Sequence, residues 1–171
     1  DAWLINFTNP VPRICLAATR YSTIQTVGLC HQINVGYCIA GAVLADELGL
    51  DVPPNLDSHP DPASHSNCWS FARQAKKLLD IKIAGLNHFI WLLDVRERAT
   101  GRDLTPLFTA RLAEQGLPFE PLSQALFEAF GLCPVAGDSH LCEYLPWCHD
   151  PQAKPWKKYN LRLYNWEAAK E

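Results

Sequence analysis

Three residues in this sequence have side chains and positions suited to metal or proton chemistry: Cys30, His31 and His88. Thr26-Val27-Gly28-Leu29 reads as a short strand, and from Ile33 apolar residues recur at helical spacing, so Cys30-His31 stands at a strand-to-helix junction. A cysteine there lies near unsatisfied backbone N–H groups and the positive end of a helix dipole, which favour the thiolate over the thiol. Cys30 is therefore a candidate metal ligand or nucleophile. His88 follows the glycine-containing stretch Ala84-Gly85-Leu86-Asn87 at the start of a strand, where an imidazole can face a cleft. A thiolate and an imidazole make a workable divalent-metal pair. Spacing alone does not bring the two together, and a buried cysteine with an unrelated, hydrogen-bonded histidine accounts for the same residues.

The elements that must position these residues follow from the apolar pattern. Residues 2–7 form a continuous apolar and aromatic run ending at Thr8-Asn9-Pro10, the signature of a buried strand and turn. Pro12 can open a helix over 12–20. Ile33, Tyr37, Gly41, Leu44 and Leu48 mark a helix over 32–48 that Gly49 stops. Residues 51–67, rich in Pro, Asp, Ser and His, read as an exposed loop carrying His59 and His65 into solvent. A helix through Trp69, Ala72, Ala75 and Leu79 follows it. Ile81-Lys82-Ile83 and Phe89-Ile90-Trp91-Leu92-Leu93 are two strands with a tight connection, His88 opening the second. Asp103 to Gln115 and Ser123 to Phe130 are helices closed by Gly116 and Gly131.

A length of 171 residues suits one domain or a large part of one. With 48% hydrophobic and 19% charged residues the chain has a soluble globular composition, and no apolar run approaches the roughly 20 residues of a membrane span. The net charge of −3 and a single short basic cluster at Lys154, Lys157 and Lys158 argue against a nucleic-acid partner. Seven cysteines without a CxxC pair, and no charged segment followed by an apolar signal core, point to a reducing, cytoplasmic compartment. The absence of methionine and the abrupt opening on a strand lead to the expectation of a piece of a longer protein.

Four separated segments, in matching order, resemble the signature blocks of glycoside hydrolase family 4. They are Asn6-Phe7-Thr8-Asn9-Pro10, Val27-Gly28-Leu29-Cys30-His31, residues 85–91 (Gly-Leu-Asn-His-Phe-Ile-Trp) and residues 131–140, which end Gly137-Asp138-Ser139-His140. Arg102 to Leu107 is similar to a further family segment, and Glu143-Tyr144-Leu145-Pro146-Trp147 extends the last block. A lone Cys-His or Asn-Pro would carry no weight; the ordered set is specific.

The resemblance implies an enzyme that departs from the two-carboxylate scheme of most glycosidases. In the family, NAD takes a hydride from sugar C3, a base removes the acidified proton on C2, the aglycone leaves from C1 by elimination, water adds, and the hydride returns. A divalent metal, usually Mn2+, holds the C2 and C3 oxygens as a Lewis acid. Carried over by position, the metal ligands are Cys30 and His88. His31 resembles the histidine of galactosidase-, glucosidase- and uronidase-like members and is a candidate leaving-group acid or sugar contact. Asn9 matches an asparagine that contacts sugar and nicotinamide, and Asn87 is a further candidate substrate contact. For the C2 base the resemblance offers Asp138 first and Tyr144 second, and the final block looks nearest to the galacturonidase-like branch. The implied partners are a small-molecule glycoside or oligosaccharide and, in the full-length protein, further copies in a homodimer or homotetramer.

One departure stands out: the family's G-x-G-x-x-G strand, turn and helix for the NAD pyrophosphate is nowhere in this sequence. The expected fold is α/β with a lactate dehydrogenase-like C-terminal architecture. Residues 1–10 would be the tail of an incomplete Rossmann domain, contributing the last strand of its sheet. Residues 11–171 would be a metal- and substrate-binding domain of helices around a small antiparallel sheet, C-terminally incomplete and with a loop insertion at 51–67. Two rivals share some of these features. A lactate or malate dehydrogenase-like oxidoreductase also carries Thr8-Asn9-Pro10 after an apolar strand. A non-catalytic Cys/His zinc domain would use the same donors, although its usual short paired spacings are missing.

Overall fold

The computed structural model describes residues 2–54, 56, 62–86, 88–117, 120–159 and 161, with the backbone alone for 62–66. Strand β1 (Trp3–Asn6), helix α1 (Val11–Tyr21) and strand β2 (Gln25–Gly28) form a parallel β-α-β unit. The register runs from Trp3 opposite Gln25 to Asn6 opposite Gly28, so parallel pairing continues past β1 into a second strand. The apolar run of β1 is not buried as its composition predicts: Trp3, Ile5 and Phe7 are 61%, 56% and 69% exposed. The physical reason is that, among the described residues, β2 is the only strand paired with β1, and α1 buries none of its own residues.

The principal core forms around α2 (Ile33–Val43), whose residues 36–41 are all buried. A helix apolar on nearly every side must lie inside the fold. It packs on α4 (Pro62–Leu78), and Gly41 permits the approach, since a Cβ there would lie 2.7 Å from that of Ala75. The predicted 32–48 helix is interrupted at Leu44, where ψ turns to 15°, and resumes as α3 (Ala45–Leu48) before a left-handed Gly49. Helix α4 begins at Pro62, inside the stretch read as loop. His59 and the side chain of His65 lie outside the described residues.

Strand β3 (Leu79–Leu86) pairs antiparallel with β4 (Phe89–Glu97), in register from Leu79 opposite Glu97 to Leu86 opposite Phe89. Leu79, expected as the last helical residue, is fully buried as the first of β3. Both strands are longer than the sequence indicates, which shrinks the connection to residues 87–88. His88 thus precedes β4 rather than opening it. The other edge of β4 takes up residues 133–135: Leu92 N–H donates to Cys133 O (2.8 Å) and Val135 N–H to Ile90 O (3.0 Å).

Helices α5 (Thr105–Gln115) and α6 (Pro121–Phe130) end at Gly116 and Gly131, both at positive φ, as glycine stops should be. A short helix α7 (Asp138–Leu141), 3₁₀ turns at Cys142–Tyr144 and Pro146–His149, and α8 (Pro155–Lys158) complete the described chain. They gather a second core that includes Leu122, Leu126, Leu141 and Cys148. The class is α/β, with helices around a small antiparallel sheet following the parallel pair.

Gly85 sets the bend that presents His88. Its φ is +148°, and a Cβ there would collide with the Phe89 carbonyl oxygen. Replacing Gly85 by Ala is expected to cost about 1–3 kcal/mol of stability. Urea unfolding measures it, and an unchanged midpoint would show that the hairpin needs no glycine.

Candidate functional site

Fifty-eight residues separate Cys30 from His88 in sequence, yet Cys30 Sγ lies 3.3 Å from His88 Nε2. Two elements make this meeting. The end of β2 delivers Cys30, where Leu29 N–H donates to Asn6 O and keeps the loop against the end of β1 (2.9 Å). The β3–β4 hairpin delivers His88 from the opposite side.

Cys30 differs in kind from most of the other cysteines. Cys38, Cys68, Cys133, Cys142 and Cys148 are buried, Cys15 is half-buried, and Cys30 is exposed. Contact with Cys68 and burial push the Cys38 thiol far up, burial does the same to Cys133, and the Cys148 thiol is pushed up to about 11, by burial first. Such thiols are small hydrophobes at neutral pH. His88, by contrast, is only 6% exposed. Burial, then the neighbouring His140 and His31, hold its imidazole below the usual range, in the neutral form that can offer a lone pair.

Beside this pair lies a small cleft of about 50 Å³ lined by His31, Gln32, Asn34, Trp69, Gly137 and His140, among others. The His31 ring meets Trp69 edge-on, with centroids 4.8 Å apart. His140 stacks obliquely on His88 with centroids 4.5 Å apart. Gln32 is buried and its Oε1 has no hydrogen-bond donor, an acceptor facing a cleft that a hydroxyl could enter. Trp69, Gln32 and His140 were not singled out by spacing. The one available signal was the His140-to-Glu143 interval, which puts both on one side of a helical turn.

Of the remaining sequence candidates, Asn9 follows β1 in an exposed loop and precedes a cis Asn9-Pro10 bond. Asn9 and Cys30 leave the carboxyl ends of adjacent parallel strands, the edge at which open α/β sheets form their clefts. Asn87 lies outside the described residues. Tyr144 is 39% exposed, its ring 6.1 Å from that of Phe89, the neighbour of His88.

Asp138, the first choice for a base, is placed quite differently. It is 0% exposed, and its carboxylate accepts from Leu122 N–H (2.6 Å), Ser123 N–H (2.8 Å) and the Ser123 hydroxyl (2.7 Å). These are orphan donors in the first turn of α6. The Asp138 N–H in turn donates to Glu120 Oε2 at 2.7 Å. Burial raises the Asp138 carboxyl above its usual range while the bonds from Ser123 and Leu122 oppose the rise. A carboxylate so enclosed caps a helix and has no face toward a sugar.

An α/β chain here joins a parallel β-α-β unit to a helical domain, and a thiol and an imidazole meet between the hairpin and the strand end. The comparisons name the family. Residues 83–170 match the family 4 glycosyl hydrolase C-terminal domain, and residues 1–42 match family 4 glycosyl hydrolase. The chain belongs to glycosyl hydrolase family 4.

It is 30% identical over 86% of its length to an alpha-galactosidase of Bacillus subtilis, and 26% identical over 92% to an alpha-galacturonidase of the same organism. It covers 28% and 34% of those two proteins, so it spans about a third of the curated relatives it matches. Among solved structures, a Bacillus subtilis protein described as a glucosidase matches 99% of the chain at TM-score 0.68 and 24% identity, the chain covering 37% of it. A 6-phospho-alpha-glucosidase from gut microorganisms, solved in complex with NAD and Mn2+, matches 85% at TM-score 0.53 and 20% identity, the chain covering 30% of it. At these identities the two structures speak for the fold. The family assignment sets aside the dehydrogenase-like and free-standing zinc-domain alternatives.

Asp138→Ala would leave two buried backbone N–H groups and a hydroxyl unpaired, each worth about 1–3 kcal/mol. The expected result is a loss of several kcal/mol in urea unfolding, whereas Tyr144→Phe, at a residue that is 39% exposed, should lose far less. An Asp138→Ala chain of unchanged stability would return Asp138 to the list of candidate bases.

Proposed function

We propose that this chain forms the metal- and sugar-facing wall of an enzyme that hydrolyses α-linked O-glycosides by oxidation, elimination and addition, with a divalent cation held by Cys30 and His88. The observation that carries this reading is the 3.3 Å between Cys30 Sγ and His88 Nε2. Two donors sharing one ion at about 2.3 Å (sulfur) and 2.0–2.1 Å (nitrogen) stand roughly 3.1–3.6 Å apart for bond angles of 90–110°. The donors present therefore fit a divalent ion. When bound, such an ion supplies Lewis acidity to two neighbouring sugar oxygens.

Support for manganese comes from the solved 6-phospho-alpha-glucosidase complex with NAD and Mn2+. NAD is a different case. Relatives imply it, but this sequence has no glycine-rich pyrophosphate turn, and the described residues offer no substitute for one. NAD would be the hydride acceptor that the oxidation requires and the donor that returns the hydride, held by the NAD-binding half of the complete protein.

The chain's own residues divide the remaining work. Tyr144, partly exposed beside Phe89, is the C2 base in preference to the enclosed Asp138. His31, exposed at the cleft and braced by Trp69, gives a proton to the departing glycosidic oxygen. The unsatisfied Oε1 of Gln32 accepts from a sugar hydroxyl. Asn9, at the same sheet edge as Cys30, contacts the sugar from the opposite wall. The substrate is a small glycoside or oligosaccharide, and the setting is the cytoplasm; no helix among the described residues is long and apolar enough to cross a membrane. Residues 1–10 would belong with the NAD-binding half and 11–171 with the metal and substrate half, in a homodimer or homotetramer of the complete protein.

Equilibrium dialysis against Mn2+ tests the reading. Cys30→Ser and His88→Ala should each weaken binding at least about tenfold. Equal binding by Cys30→Ser and the wild type would overturn it. In a separate assay the 171-residue chain alone, supplied with Mn2+ and NAD, should release no sugar from an α-galactoside or α-galacturonide. Turnover would show that a dinucleotide cradle exists within it.

A further inference from the structure

The donors near His88 do not stop at Cys30. One ligating atom each from His88, His140 and Glu143 lie within 4.8 Å of one another, the one such group of three among the described residues. His140 Nδ1 is buried and has no hydrogen-bond partner. The nearest carboxylate oxygen, Glu143 Oε1, is 3.7 Å away, beyond hydrogen-bonding reach. Leaving a buried ring nitrogen unpaired is costly unless something else occupies the space between it and its neighbours.

We propose that His140 and Glu143 are additional cation ligands, which with His88 extend the metal centre from the Cys30 side onto the 138–144 segment. The proposal rests on the reading of His88 as a ligand. Three facts converge on it. The imidazoles of His88 and His140 face each other with centroids 4.5 Å apart, close enough for an ion to draw both donors onto itself with small side-chain rotations. The i, i+3 spacing brings His140 and Glu143 onto one side of the chain. The donor chemistry also corrects a mismatch: a thiolate is a soft ligand, and nitrogen and carboxylate donors suit a harder ion such as Mn2+ much better. A centre with Cys30 on one side of His88 and His140 with Glu143 on the other would bind both classes of ion, with Mn2+ leaning on the second set.

The test uses the full 171-residue chain and two ions, Mn2+ by equilibrium dialysis and Co2+ by absorption, where a near-ultraviolet thiolate-to-cobalt band reports Cys30. His140→Gln should weaken Mn2+ binding at least about tenfold, and Glu143→Gln by less. At saturating Co2+ the thiolate band should persist in both. His140→Asp, which keeps a donor at the position, should recover most of the Mn2+ affinity. The His140 side chain is 40% exposed, so these replacements are expected to fold, and circular dichroism of the metal-free chains verifies it. Mn2+ affinity within twofold of wild type for His140→Gln overturns the proposal, as does failure of His140→Asp to exceed His140→Gln in a folded chain. The two readings separate cleanly. Loss on His140→Gln without loss on Cys30→Ser supports the His140 set and sinks the Cys30 assignment; the opposite pattern does the reverse.

Discussion

The candidate site depends on one buried carboxylate, that of Asp138. Asp138 accepts three hydrogen bonds from the first turn of α6 and, through its own N–H, is held by the buried Glu120 just before that helix. A four-residue helix such as α7 cannot sustain itself, because nucleation costs more than one turn of hydrogen bonds returns. Hydrogen bonds of this kind contribute about 0.5–1.5 kcal/mol each, and three of them together fix the segment from outside. The reciprocal clasp solves two problems together: α6 gains a cap its own N-cap residue does not provide, and the chain carrying His140, Glu143 and Tyr144 gains an anchor. Its cost is the burial of two acidic side chains, and the raised Asp138 carboxyl records how incompletely the hydrogen bonds offset that burial.

The other half of the site is positioned by packing. Helix α2 is apolar on nearly all sides and lies against α4 at the closeness Gly41 allows, with Gly36 approached by Val135 and Ile81 on another side. The hairpin is thereby fixed to α2, and residues 133–135 tie the far edge of β4 to the chain leading into Asp138. His88 at the hairpin's tip and the loop before α2 that bears Cys30 are thus joined through one continuous core. Buried interiors pack to nearly crystalline density and yield little. That rigidity is what lets Cys30 Sγ and His88 Nε2, far apart in sequence, stand 3.3 Å apart.

Much of this was legible beforehand, for reasons specific to each element. Gly49, Gly116 and Gly131 terminate helices where the sequence places them, because a positive φ at a helix end is a local requirement that glycine meets without strain. The Cys30 junction and the hairpin were equally local. The failures were non-local. Leu79 fits a helical stripe as well as a buried strand position, and only pairing with Glu97 decides between them. The 62–67 stretch carries Pro, Ser and Asn, residues that favour loops and caps, yet it opens α4. Asp138 stood beside a glycine in a motif rich in polar residues, and nothing in spacing could reveal that its partner was the start of α6. Trp69 reads as any helical aromatic until the fold sets it against His31.

The proposed centre would join donors from three separately anchored pieces: the β2 loop, the hairpin tip and the α7 turn. In the unfolded chain these pieces are 50 or more residues apart, so no preformed site exists, and an ion that binds only the folded arrangement adds its binding free energy to folding. The coupling also runs the other way. Leu141, next to His140, is buried in the second core with Cys148, so apolar contacts that touch no donor hold the segment on which His140 meets His88. The parallel pair β1–β2 is the contrasting case. It carries Asn9 and leads into Cys30, but it leaves Trp3, Ile5 and Phe7 in solvent, and its apolar surface contributes little to holding the loop. Of the three pieces, the one bearing the thiol is therefore the least buried, whereas the backbone that carries His140 and Glu143 starts from the buried, hydrogen-bonded Asp138.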